Sequence, residues 1–149
     1  MAVCPTEGLL PQLSFARLDA AFAPQLVPRQ GPCLPDCTAC GEACSTGAIA
    51  RISAEEKAAA PIGLAEIDHS RCLPWASGDR CTICLDACPP EYRAIELRRT
   101  GPGEFRPFVV ESSCTGCGVC GHRCPLDGAA AIRVVTVPGG PSEFSRHTG

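Results

Sequence analysis

The sequence predicts an α+β fold of short strands and short helices, built from repeated units and carrying few large core residues. Three observations predict it. Cysteine-rich groups recur three times, at intervals of about 40 residues. Short apolar or alternating runs of strand character flank each group. Gly and Pro number 15 each in 149 residues, so turns interrupt every element. Aromatics are only 5% of the chain, and Ala and Cys supply much of its 45% hydrophobic content. Large core-filling side chains are therefore scarce, and the fold needs disulfides or metal to hold it.

The elements follow in order. The opening MAVCPTEGLL places a Cys-Pro pair at 4–5, and 11–32 is punctuated by proline. Leu13, Ala16, Leu18, Ala21 and Phe22 fall at helical spacing. The first group, CLPDCTACGEACSTGAIARI (33–52), ends in a run at 47–52 that reads as a strand. SAEEKAAAP (53–61) reads as a solvated linker or one exposed helical turn stopped by Pro61. GLAEID (63–68) is strand-like and leads into the second group, CLPWASGDRCTICLDACPPEYRAIELRR (72–99), whose end at 94–99 is a strand. RPFVVE (106–111) repeats the pattern before the third group, CTGCGVCGHRCPLDGAAAIRVVTV (114–137), which ends in a strand at 131–137. PGGPSEFSRHTG (138–149) is polar and Gly/Pro-rich, a disordered tail. The expected organisation is an N-terminal segment over 1–31 with the remnant of a further motif, a repeat domain over 32–137, and the tail over 138–149.

The thirteen cysteines are Cys4, Cys33, Cys37, Cys40, Cys44, Cys72, Cys81, Cys84, Cys88, Cys114, Cys117, Cys120 and Cys124. Their odd number and the lack of an apolar leader argue against a secreted disulfide scaffold. A net charge of −3 gives no electrostatic footprint for nucleic acid. No stretch approaches the roughly 20 apolar residues of a membrane span. As written, the chain is expected in the reducing cytoplasm, or in the periplasm if an N-terminal extension is missing.

The third group defines the chemistry. Cys114-x2-Cys117-x2-Cys120-x3-Cys124-Pro125 is the spacing that holds a 4Fe–4S cubane. Three thiolates in one tight loop each take an iron corner. The fourth cysteine begins the next turn and ligates a neighbouring cluster. A structural zinc site needs two C-x2-C knuckles a dozen or more residues apart, and the extra thiolate here would crowd it. The second group, Cys72-x8-Cys81-x2-Cys84-x3-Cys88-Pro89, has a stretched first gap. The first, Cys33-x3-Cys37-x2-Cys40-x3-Cys44, has one extra residue there and Ser45 in place of proline. CPTEGL (4–9) has the shape of a fourth-position cysteine, like CPPEYRAI (88–95) and CPLDGAAAI (124–132). Met-Ala-Val would then fill the gap before Cys4, so the sequence is expected to continue upstream into a C-x2-C-x2-C run.

RCLPWASGDRCTICLDACP (71–89), SCTGCGVCGHRCPLDGAAAIRV (113–134) and PCLPDCTACGEACSTGAI (32–49) resemble the polyferredoxin family. That family includes the ferredoxin-type subunits of periplasmic nitrate reductase quinol dehydrogenases and of methylamine utilisation. The resemblance implies a ferredoxin-like fold and a relay of single electrons between redox proteins, possible partners being a membrane quinol-oxidising subunit or a reductase. It also implies nested pairing of the motifs. On that scheme one cluster takes Cys33, Cys37, Cys40 and Cys88. A second takes Cys72, Cys81, Cys84 and Cys44. A third takes Cys114, Cys117, Cys120 and Cys4. Three 4Fe–4S clusters then use twelve of the thirteen cysteines and leave Cys124 unligated. The chain is expected to be an electron carrier and not an enzyme, the alternative being a structural iron–sulfur subunit of a larger oxidoreductase complex.

Other residues read more plainly. Trp75 could tune a cluster, but a packing lid over a thin core is the simpler role. His69 and His122 flank cysteine loops that already have ligands enough. Asp68 and Glu111 precede cysteine loops at matching offsets and suit hydrogen bonding there. Arg98-Arg99 and His122-Arg123 could meet an acidic partner, although a solvated charged face accounts for them equally well.

Overall fold

The computed structural model describes residues 3–11 and 23–136. The helical spacing at 13–22 and the tail at 138–149 lie outside them. The architecture is α+β, with six short strands and five short helices among the described residues. Strands β1 (Leu9–Pro11) and β2 (Pro24–Leu26) pair antiparallel, Leu9 opposite Leu26. Helices α1 (Ala39–Ala43) and α2 (Ala54–Ala59) follow, then β3 (Leu64–Ile67). Helices α3 (Leu73–Ala76) and α4 (Ile83–Ala87) carry the second cysteine group. Strands β4 (Ile95–Gly101) and β5 (Glu104–Val109) form a hairpin. A 3-10 turn (Glu111–Ser113), α5 (Val119–Arg123) and β6 (Ile132–Val135) complete the described chain.

The pairing explains the site. β6 returns to lie antiparallel to β3, Ile132 opposite Ile67, so the second and third cysteine groups face each other. Ala65, Ile95, Cys120 and Ile132 form the buried centre, with Ile67, Leu85 and Val109 packed on it. Four sulfurs, from Cys84, Cys88, Cys114 and Cys124, pack against the same centre. The core is thus as thin as the composition predicts, and cysteine supplies part of it.

The N-terminal segment folds back on its own neighbourhood. Val27 donates its N–H to Gly8 O at 2.7 Å, and Thr6 Oγ1 donates to Pro32 O at 2.7 Å. Gly8 and Gly31 pass so closely that a Cβ on Gly8 would lie 1.8 Å from Gly31 O. Arg29 then ties the segment to the far end of the chain. Its guanidinium donates to Gly128 O and Gly121 O at 3.1 Å, to Cys124 O at 2.8 Å and to Leu126 O.

Two expectations meet the structure differently. Of the two readings of 53–61 the exposed helical turn holds, as the helix Ala54–Ala59, and Ser53 and Glu56 form a reciprocal capping box at its start. The strand expected at 47–52 does not form. The other runs of this type find partners, β4 with β5 and β6 with β3. The 47–52 run has no strand beside it among the described residues, and an unpaired extended segment is not stable alone. Its groups bond locally instead, Ile49 N–H to Cys44 Sγ at 3.3 Å and Arg51 to Glu42 O at 3.3 Å.

Candidate metal centres

Each short helix that follows a cysteine loop ends on a cysteine: α1 on Cys44, α4 on Cys88 and α5 on Cys124. Each such thiol receives a backbone N–H further on, from Ile49, Ala94 and Ala131 at 3.3, 3.3 and 3.4 Å. Thr38 and Thr82 start α1 and α4 alike, donating to Glu42 at 2.9 Å and Asp86 at 2.8 Å. The repeat seen in sequence is therefore a repeat of hydrogen bonds.

Three cysteine-walled cavities result. In the first, Cys33, Cys37 and Cys40 face Cys4, with Leu9, Leu26 and Leu34 around them. In the second, Cys72, Cys81 and Cys84 face Cys124. In the third, Cys114, Cys117 and Cys120 face Cys88. We call these the outer, distal and central sites. Cys44 lines none of them.

This grouping differs from the nested pairing that the resemblance implies. The structure sets Cys88 against the 114–120 loop, not against the 33–40 loop, and Cys4 against the 33–40 loop, not against 114–120. Cys124 faces Cys72, Cys81 and Cys84, where nested pairing puts Cys44. The physical reason lies in the local folds. The β3–β6 pairing and the packing of α4 on α5 bring the second and third groups face to face, so each lends its last cysteine to the other. The turn through Gly8 and Gly31 lays Cys4 over the loop nearest to it in the chain. Exchange between adjacent groups wins, and Cys44, not Cys124, stands outside all three sites.

The sites touch. Cys33 donates its N–H to Cys117 O at 2.8 Å, joining the outer and central loops directly. Cys84 of the distal site and Cys120 of the central site pack in one cluster around Ile95 and Ile132. In space the central site lies between the other two, although its loop comes last in the chain.

Burial dominates the electrostatics. It pushes the Cys84 and Cys120 thiols up to about 12, with neighbouring thiols of their own sites adding to the effect. Cys72, Cys88 and Cys117 are raised for the same first reason. Burial raises Cys33 as well, against a pull from Lys57. Burial also acts on Cys4, but hydrogen bonds from the Thr6 hydroxyl and nearby backbone N–H groups outweigh it and leave Cys4 below the ordinary thiol value. Cys44 is unlike the rest. The Thr46 hydroxyl, and then the Ile49 N–H, lower it to about 7.

The chemistry of these sites suits a cluster better than a single ion. A zinc ion draws four thiolates to about 2.3 Å from one point. Among the described residues no three Cys, His, Asp or Glu converge in that way. Each cavity is lined instead by four cysteines, three from one loop and the fourth from elsewhere in the chain, the donor set of a cubane. At the central site the Thr115 hydroxyl is buried beside Cys117 and Tyr92, and its hydrogen bonding partly offsets the rise that burial causes in the Cys117 thiol. Gly116, between Cys114 and Cys117, has φ +73°, and a Cβ there would fall 2.5 Å from the Gly63 backbone. Only glycine lets this loop close on its site.

The remaining sequence candidates fall outside the cavities. Trp75 stacks on His69 at 3.7 Å, meets Phe108 edge-on at 5.2 Å and donates to Pro107 O at 3.2 Å. It is a lid on the β4–β5 hairpin. His122 is exposed on α5. Asp68 accepts from Ser70 N–H at 3.0 Å and from its hydroxyl at 2.6 Å, the loop-positioning role its place suggests. Sequence reasoning missed Lys57, Tyr92 and Thr115, which line a small cavity between the outer and central sites with Cys33 and Cys117. No spacing rule marks them.

Residues 79–127 match the family model of the 4Fe-4S dicluster domain, the region that holds most of the distal and central sites. That region is a ferredoxin-type iron–sulfur domain. The chain is similar to the methylamine utilization ferredoxin-type protein MauM of Paracoccus denitrificans, 38% identical over 117 residues, covering 75% of this chain and 51% of that protein. It is likewise similar to the ferredoxin-type protein NapG of Escherichia coli, 34% identical over 152 residues, covering 97% of this chain and 64% of that protein. NapG of Haemophilus influenzae is 33% identical, over 97% of this chain and 53% of its own. The chain thus spans between about half and under two thirds of these relatives' length. No solved structure matches it.

Proposed function

We propose that the chain is an electron-transfer module holding three 4Fe–4S clusters, one in each site. When bound, such a cluster supplies reversible one-electron chemistry. The protein supplies the rest. Cys4, Cys33, Cys37 and Cys40 hold the outer site, Cys72, Cys81, Cys84 and Cys124 the distal site, and Cys88, Cys114, Cys117 and Cys120 the central one. Hydrogen bonds to sulfur set the potentials, among them Ala65 N–H to Cys114 Sγ at 3.4 Å, Ala94 to Cys88 and Ala131 to Cys124. The observation that carries the reading is that each of three adjoining cavities is lined by three cysteines of one loop and a fourth from elsewhere in the chain.

The relatives' printed names and the family resemblance support redox proteins as partners, a membrane quinol-oxidising subunit or a reductase among them. Among the described residues no helix is long and apolar enough to cross a membrane, so contact with a membrane-bound partner would pass through that partner.

Iron and acid-labile sulfide counted after anaerobic reconstitution test the reading. Wild type should hold about twelve irons per chain, at four per cluster. Cys4→Ala and Cys124→Ala should each fall toward about eight, and Cys44→Ala should keep about twelve. Retention of all iron by Cys124→Ala with loss in Cys44→Ala would restore the nested pairing. Reversible one-electron reduction of every cluster separates a relay from a structural scaffold.

A further inference from the structure

Helix α2 poses a question. None of its residues is buried, yet Ser53 accepts from Glu56 N–H at 3.1 Å while Glu56 accepts from Ser53 N–H at 2.7 Å, a full capping box on six residues. A helix with no apolar face gains nothing from packing. Lys57 is its one half-buried side chain before the Ala60 cap. The ammonium group donates to Leu34 O and Cys37 O, both in the outer cysteine loop. Lys57 also lines the cavity shared by Cys33 of the outer site and Cys117 of the central site, and is the only cation there. Among the described residues no carboxylate lies within ion-pair distance to neutralise it.

We propose that Lys57 is a positioning residue that raises the reduction potential of the outer site. A fixed positive charge favours whichever redox state carries more negative charge, and does so most strongly at the shortest distance. Lys57 bonds to the outer loop, faces the central site across the cavity and does not line the distal one. The outer site is therefore the one whose potential depends most on Lys57. Tyr92 and Thr115 line the same cavity, so the junction is polar on a path otherwise lined by Pro35, Ala60 and Ile62.

The inference rests on the reading that the sites hold clusters, and one set of variants separates the two. Anaerobic redox titration followed by electron paramagnetic resonance is run on wild type, Cys4→Ala, Lys57→Gln and Lys57→Arg, with iron counted in each. The signal missing from Cys4→Ala identifies the outer cluster. Lys57→Gln should keep its iron and move that signal to clearly lower potential, the central signal by less and the distal one least, while Lys57→Arg titrates close to wild type. An unmoved outer signal in Lys57→Gln, or an equal shift of all three, overturns the proposal. Loss of iron from Lys57→Gln makes Lys57 a strut of the loop and overturns it too. Full iron in Cys4→Ala would instead overturn the assignment of the outer site itself.

Discussion

Single side chains decide how the loops are held. Arg29 meets four carbonyl oxygens, two of them at the end of α5 where the helix leaves its carbonyls without partners. Arg29→Met removes the charge and all four bonds. Because the side chain is largely exposed, the cost should be about 1–2 kcal/mol. Chelator-driven bleaching of the distal cluster should then run about tenfold faster than in wild type. Cys44 gives a second prediction. Its thiol sits near 7, where ordinary thiols are neutral, because Thr46 and Ile49 stabilise the thiolate. In the loaded protein iodoacetamide should label Cys44 and spare Cys124, at a rate that rises through pH 7 and levels off above about pH 8. Peptide mapping reads both. The sequence revealed every one of the thirteen thiols as a metal-ligand candidate and expected Cys124 to stand apart, whereas in the structure it is Cys44 that lines none of the three cavities. Spacing along a chain says which three thiols share a loop, whereas the odd one out depends on which loops face each other.

At the scale of elements, the loops and caps carry the load that a large core would carry elsewhere. Gly116→Ala should lose the central cluster, since the loop would need both a left-handed alanine and a shift of the Gly63 backbone. Iron content falling toward about eight would register it. Ser53→Ala removes half the capping box, at a cost of about 1 kcal/mol to α2, and should loosen Lys57 from the outer loop. That helix was legible in Ser53-x-x-Glu56 and Pro61, because caps are local chemistry. The 47–52 run was not legible, because its alternation says nothing about whether a partner strand lies beside it. The hairpin of β4 and β5 shows the opposite case, where Trp75, His69, Arg106 and Phe108 stack into a covering layer that composition alone could not assemble.

For the whole molecule the balance is stark. Among the described residues the fully hydrophobic core is Ala65, Ala94, Ile95, Ala131 and Ile132 with Cys120. So little apolar burial falls well short of the entropy of ordering the chain. Stripping iron should therefore collapse the far-UV circular dichroism, and restoring iron and sulfide should recover it, as expected when metal binding is itself the folding energy. A native-like spectrum for the stripped chain would count against this. The α+β class was legible because the cysteine repeat forces short elements between loops.

The exchange of last cysteines also bears on how the molecule is made. On the proposed assignment the outer site has all four thiols once residue 40 has left the ribosome. The central site waits for Cys120 and the distal site for Cys124, even though three of the distal thiols are made long before. Biogenesis then runs in two stages: one earlier, self-contained loading, and one later event in which two interlocked sites mature together.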